Sequence, residues 1–174
     1  MEYKNNVVNG YVLSELQEGP LPGFAAFTRK VAAEGIVMLR NRDQLLPLKP
    51  GTRVSLFGRV QLNYIKSGSG SGGMVNVDHL PNIIDSLRAT GKVQVNETLA
   101  KIYADWVAEN PFNPGQGWGD EPSVQEEMPL KDEWVKDAAE HSDVAIVVIS
   151  RVYGEGKDSF DSEGHYRLTA DERN

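Results

Sequence analysis

The chain has 174 residues, is 40% hydrophobic and 25% charged, and carries a net charge of −7. That length is enough to bury a core of its own, and the acidic balance argues against a nucleic-acid or anionic-membrane partner, each of which needs a basic face. With no cysteine, disulfides, zinc–thiolate sites, iron–sulfur clusters and thiol nucleophiles are excluded together.

No apolar run approaches the roughly 20 residues of a membrane span. The opening Met1-Glu2-Tyr3-Lys4-Asn5-Asn6 lacks the basic-then-apolar layout of a secretory signal, so a cytoplasmic location is expected. Residues 1–23 are polar and punctuated by Gly19-Pro20-Leu21-Pro22-Gly23, which predicts an extended arm. Residues 24–174 form the candidate domain.

From residue 24 to about 40, Phe24, Phe27, Val31 and Met38 recur near a 3.6 period, predicting a helix that only Gly35 opposes. Leu45-Leu46-Pro47-Leu48 and Pro50-Gly51 turn the chain into a predicted strand over 53–58. A polar, glycine-dense stretch, 66–73, follows. Leu80, Ile83, Ile84 and Leu87 then predict a helix closed by Gly91 in a left-handed cap. Residues 92–96 alternate like a strand. Leu99, Ile102, Tyr103, Trp106 and Val107 predict a second helix ending before Asn110-Pro111.

Residues 111–129, with four prolines and three glycines, predict a long irregular loop, of the kind that carries function. A helix over about 130–141 is expected to bury Trp134, Val135 and Ala138. The unbroken apolar run 144–150 predicts an interior parallel strand covered on both faces. Strands alternating with helices predict an α/β fold, a three-layer sandwich around a mostly parallel sheet. In such sheets ligands gather beyond the carboxyl ends of the strands. The glycine-serine stretch and the segment 151–164 both leave strands at that rim.

Gly68 to Gly73 matches G-x-G-x-x-G, but a dinucleotide fingerprint directly follows a strand and opens a helix, and this stretch does neither. It is either a flexible surface linker or a loop kept small so that a ligand or another domain can approach its backbone. After the apolar run comes Arg151-Val152-Tyr153-Gly154-Glu155-Gly156-Lys157-Asp158. Glu155, between two glycines at a strand's carboxyl end, sits where catalytic carboxylates are held, with a solvated loop acid as the plain alternative. Asp158, Asp161 and Glu163 lack calcium-loop spacing. The three histidines, His79, His141 and His165, form no metal motif. Trp118, in Gly117-Trp118-Gly119, is a candidate for stacking on the C–H face of a sugar or for anchoring its own loop. Thr169 and Glu172 have capping-box spacing, so a helix is expected to open within a turn of Asn174, and the sequence is expected to be cut there.

Residues 30–41 (Lys-Val-Ala-Ala-Glu-Gly-Ile-Val-Met-Leu-Arg-Asn), then Leu45-Leu46-Pro47-Leu48, then Val54-Ser55-Leu56-Phe57-Gly58-Arg59 resemble glycoside hydrolase family 3. The likeness is to its α/β sandwich domain, which partners a TIM-type barrel. It continues in order through the glycine-serine loop, Tyr103-Ala104-Asp105-Trp106-Val107, residues 144–156, and Tyr166-Arg167-Leu168-Thr169.

The resemblance implies retaining hydrolysis of β-glycosides by two carboxyl groups, without cofactor or metal. The nucleophilic aspartate belongs to the barrel, and Glu155 matches the family's acid/base. Arg151 and the loop of Ser67, Gly68, Ser69, Gly70 and Ser71 are expected to line or support the cleft.

No barrel is found, and Asp105, in a predicted helix, does not match the nucleophile's context. The chain is therefore expected to be the leading part of an enzyme whose domains come in reversed order, inactive alone. Glu155 should then be exposed and titrate as a free glutamate. With three strands an unpaired sheet edge is also expected, and with it self-association. A non-catalytic α/β binding or interaction module is the alternative.

Overall fold

The computed structural model describes residues 7–8, 11–12, 21–65, 68–74, 80–117 and 119–174. Ser67, His79 and Trp118 lie outside these. The chain divides into two compact units, 1–45 and 46–174.

In the first unit, β1 (Val7–Val8) and β2 (Tyr11–Val12) pair antiparallel, Val7 opposite Val12. Helix α1 (Phe24–Gly35) stops at the glycine that opposed it, and Ile36 is already extended. The predicted helix to residue 40 is thus shortened by the residue with the weakest helical preference.

The second unit contains β3 (Arg53–Phe57), α2 (Ile83–Thr90), β4 (Gln94–Val95), α3 (Glu97–Glu109), α4 (Asp132–His141), β5 (Val144–Val147) and α5 (Ala170–Arg173). Its three strands form a parallel sheet in the order β4-β3-β5. Local chemistry sets the helix ends. Asn82 caps α2 by accepting from the Asp85 amide, and Gly91 ends it at φ 62°. Asn96 caps α3 by accepting from the Leu99 amide, while its side-chain amide donates to Ser55 Oγ at 3.0 Å, tying the cap to the sheet.

Alternation along β3 feeds two cores, one on each side of the sheet. Val54 and Leu56 pack with Ile84 of α2 and Ala100 of α3. Phe57 joins the second cluster, which contains Leu99, Tyr103, Met128 and Ala138. This is the three-layer α/β arrangement. The loop 111–129 is irregular and well packed: buried Arg59 holds it by donating to the carbonyls of Asn110 and Glu126 at 2.7 and 2.8 Å. No helix among the described residues is long and apolar enough to cross a membrane.

Two expectations need correction. Strand β5 lies at the edge of the sheet, and β3 is the central strand. Val147 is 62% exposed, so the apolar run is not covered on both faces. An apolar run encodes a preference for burial, but strand order decides which strand obtains it. For the same reason α4 buries only Ala138, while Val135 is 41% exposed and lines a 320 Å³ groove with Ala145 and Val147.

Ile84→Ala should lower unfolding free energy by about 2–5 kcal/mol in urea titration, because Ile84 is fully buried in the first core. A loss below about 1 kcal/mol would place α2 outside the cooperative unit.

Candidate active site

Parallel pairing of β3 with β5 brings both strands out at the same carboxyl end of the sheet, so the loops that follow meet there. Their contact is backbone to backbone. Ser69 N–H donates to the Tyr153 carbonyl at 3.4 Å. A Cβ on Gly68 would lie 2.5 Å from that same carbonyl oxygen, and a Cβ on Gly154 would lie 2.4 Å from the Ser69 carbonyl oxygen. Neither position admits a side chain without a shift. The 3₁₀ turn Gly70–Met74 continues the first loop, and Ser69 is 2% exposed. The described part of the glycine-serine stretch is therefore a packed loop and not a flexible linker. What approaches its backbone is residues 153–155 of the same chain.

Glu155 occupies the tip of a tight turn in which Lys157 N–H donates to the Gly154 carbonyl at 3.1 Å. Gly156 has φ 75°, the conformation a type II turn requires at its third residue. The two glycines around Glu155 thus have separate causes: one admits the neighbouring loop, the other makes the turn. Lys157 Nζ donates to the Glu121 carbonyl, anchoring the turn to the long loop.

The Glu155 carboxylate is exposed, and its Oε2 accepts from Ser71 Oγ at 2.6 Å and from the Ser71 amide at 3.4 Å. These bonds, the hydroxyl's first, hold its pKa below the ordinary glutamate range. Glu155 is exposed as expected, but it does not titrate as a free glutamate. A neighbouring serine favours the anion, and no sequence spacing reveals that contact.

The structure brings Gly68, Ser69, Gly70, Ser71 and Glu155 together. Arg151 lines a cavity with Gly68 and Tyr153 but makes its hydrogen bonds elsewhere. Its guanidinium forms a bidentate pair with Glu172 at 2.5 and 2.7 Å and also donates to the carbonyls of Ser150, His165 and Arg167. Burial alone would raise the Glu172 pKa, but the Arg151 hydrogen bonds and the Thr169 amide hold it below the ordinary value. The expected capping box is formed: Thr169 N–H donates to Glu172 Oε2 at 2.8 Å, and Glu172 N–H donates to Thr169 Oγ1 at 3.3 Å.

Sequence reasoning missed the second role of Glu172 as Arg151's partner. It also missed the Tyr153 hydroxyl, 3.2 Å from His165 Nδ1. The capping-box spacing marked Glu172 but gave no sign of a partner 21 residues away. Asp105 lies on α3, exposed and paired with Lys101 at 2.7 Å, an ordinary solvated helix pair. No group of three or more His, Asp or Glu that could hold a metal occurs among the described residues.

A parallel-sheet α/β domain with a glutamate-tipped turn at its carboxyl rim belongs to the class that carries ligand chemistry on rim loops. Residues 36–173 match the glycosyl hydrolase family 3 C-terminal domain, and the chain belongs to that family. It is 50% identical over 144 residues to a beta-glucosidase of Ruminococcus albus, covering 83% of this chain and 15% of the relative. It is 35% identical over 130 residues to beta-glucosidase A of Butyrivibrio fibrisolvens, covering 74% of this chain and again 15% of the relative. Among solved structures, a beta-glucosidase from Paenibacillus barengoltzii superposes with TM-score 0.86 at 53% identity, over 91% of this chain and 17% of that one. Beta-glucosidase 3B of Thermotoga neapolitana, in complex with alpha-D-glucose, superposes with TM-score 0.75 at 30% identity, over 88% of this chain and 21% of that one. The chain thus spans about one-sixth of the length of such relatives.

Ser71→Ala should move the Glu155 titration midpoint upward, followed by carbon-13 NMR of the carboxyl group. The sign follows from linkage: the Ser71 contact favours the anion, so it contributes above the ordinary glutamate pKa and is lost as pH falls through the lowered value. An unmoved midpoint would exclude Ser71 as the cause.

Proposed function

We propose that this chain is part of a retaining β-glucosidase and that Glu155 is its general acid/base. The observation that carries the reading is the position of the Glu155 carboxylate. It stands on a turn at the carboxyl rim, solvent-facing, oriented by Ser71 and interlocked with the glycine-serine loop. A β-glycoside is the substrate class, in keeping with the names of the relatives.

Retaining hydrolysis needs a nucleophilic carboxylate roughly 5–5.5 Å from the acid/base, across the scissile bond. We assign that nucleophile to a TIM-type barrel elsewhere in the whole enzyme. Glu155 protonates the departing glycosidic oxygen as the nucleophile attacks the anomeric carbon. It then takes a proton from the water that releases the glycosyl–enzyme intermediate.

In this chain alone Ser71 favours the ionised form, whereas a general acid must hold its proton near neutral pH. A second carboxylate brought close raises the pKa of the first, so docking of the nucleophile's domain supplies the missing shift. The isolated chain is accordingly inactive. Arg151 supports the cleft.

The open edge of β5, with Val147 exposed, is proposed to pair with a second copy when the chain is alone. Sedimentation should show concentration-dependent dimers; a monomer at every accessible concentration would remove that assignment.

In the whole enzyme, Glu155→Gln should lower kcat/KM on a poorly activated aryl β-glucoside by about 10²–10⁴-fold. The loss should be smaller on a substrate with an acidic leaving phenol, and added azide should restore turnover as the β-glycosyl azide. Equal losses on both substrates, with no azide product, would end the assignment.

A further inference from the structure

We propose that Arg151 and Glu172 form an ionic staple that positions Glu155 by closing the loop 152–168 onto the carboxyl end of β5. Each of the five guanidinium N–H groups has an acceptor. Two bonds go to the two Glu172 oxygens, one to the Ser150 carbonyl three residues beyond β5, and two to the carbonyls of His165 and Arg167 on the returning limb. The pair is part-buried, with side-chain exposures of 15% for Arg151 and 4% for Glu172. Glu172 is itself held by Thr169 through the capping box of α5.

The geometry links this staple to the turn by a short route. Val152, next to Arg151, is 4% exposed and donates its amide to the Ser123 carbonyl at 2.8 Å. Tyr153 follows, with its carbonyl on the Ser69 amide and its hydroxyl near His165 Nδ1, on the limb that Arg151 grips. Gly154 and Glu155 come next. Outward and returning limbs are thus joined at two places, Arg151 with the 165 and 167 carbonyls and Tyr153 with His165.

Releasing one partner of a part-buried pair leaves the other charge poorly compensated, which favours opening of the loop over retention of its geometry. Opening at this point moves Tyr153 and Glu155 away from Ser69 and Ser71. Arg151 and Glu172 are therefore positioning residues acting through Glu155. The catalytic meaning rests on the proposed role of Glu155; the structural claim does not.

The test uses the 174-residue chain. The Glu155 carboxyl is titrated by carbon-13 NMR in the parent, in Arg151→Lys and in Glu172→Gln, each alone and combined with Ser71→Ala. Circular dichroism and amide exchange in α2 and α3 report the fold. The expected result is an intact sheet and helices, a Glu155 midpoint shifted upward to that of Ser71→Ala, and loss of any further response to Ser71→Ala. A folded variant whose Glu155 keeps the parent midpoint, and still responds to Ser71→Ala, overturns the staple. Global unfolding of both variants also overturns it, because a positioning role requires the rest of the fold to stand without the pair. Full turnover of a whole-enzyme Glu155→Gln variant would remove the proton donor while leaving this result untouched.

Discussion

The close approach of two backbones at the carboxyl end of the sheet is the constraint on which the site depends. Residues 68–70 and 153–155 lie so near that a Cβ at Gly68 or Gly154 would stand within 2.5 Å of the opposing carbonyl oxygen. The tightest approaches of this contact are backbone to backbone, which tolerate little adjustment, and the Ser71 and Glu155 side chains add a hydrogen bond beside them. It follows from parallel pairing of β3 with β5, which gives both strands the same exit. Everything chemical at the rim, including the Ser71–Glu155 hydrogen bond, is downstream of it.

The support of that rim is divided between polar and apolar parts of the unit. Beneath the sheet's exits, Arg59 is buried and binds the long loop through carbonyls, with Trp106 stacked 5.2 Å from its guanidinium. Glu127, whose pKa is raised by its burial, accepts from the Arg59 amide at 2.9 Å. Tyr103 is pushed up to about 12, chiefly by burial, and its hydroxyl accepts from the Gly58 amide where β3 ends. Several polar groups buried near the strand exits are partnered, since an unmet one costs about 1–3 kcal/mol, while Arg59 Nε, Gln61 Oε1 and Ser69 Oγ are buried without a hydrogen-bond partner. Chains that leave the sheet there are consequently held in place, which a loop carrying a reactive carboxylate needs.

The edge strand shows where periodicity stops being informative. Residues 144–147 have the composition of a strand covered on both faces, yet Val147 is 62% exposed at the margin of the sheet. Apolar content states that burial is favourable; it does not name the neighbour. The glycine-serine stretch shows the converse. Its composition suits a solvated linker, but Ser69 is almost wholly buried, because small residues permit close packing as readily as mobility. Glu172 is a third case. Its capping role is local and was legible at i+3 spacing, whereas its pairing with Arg151 crosses a loop that has no period to follow.

By itself the sequence determined the kinds of elements and some of their ends, since these rest on interactions within a few residues: Gly91 at a helix stop, Thr169 with Glu172 at the last helix start. It also marked Glu155 through the glycines on either side. Only the tertiary structure decided that β3 is central and β5 marginal, that Ser71 is the residue holding the Glu155 carboxylate, and that Arg151 faces Glu172. Those outcomes depend on which strands pair and in what order. Pairing joins residues dozens of positions apart, with no spacing rule to announce them.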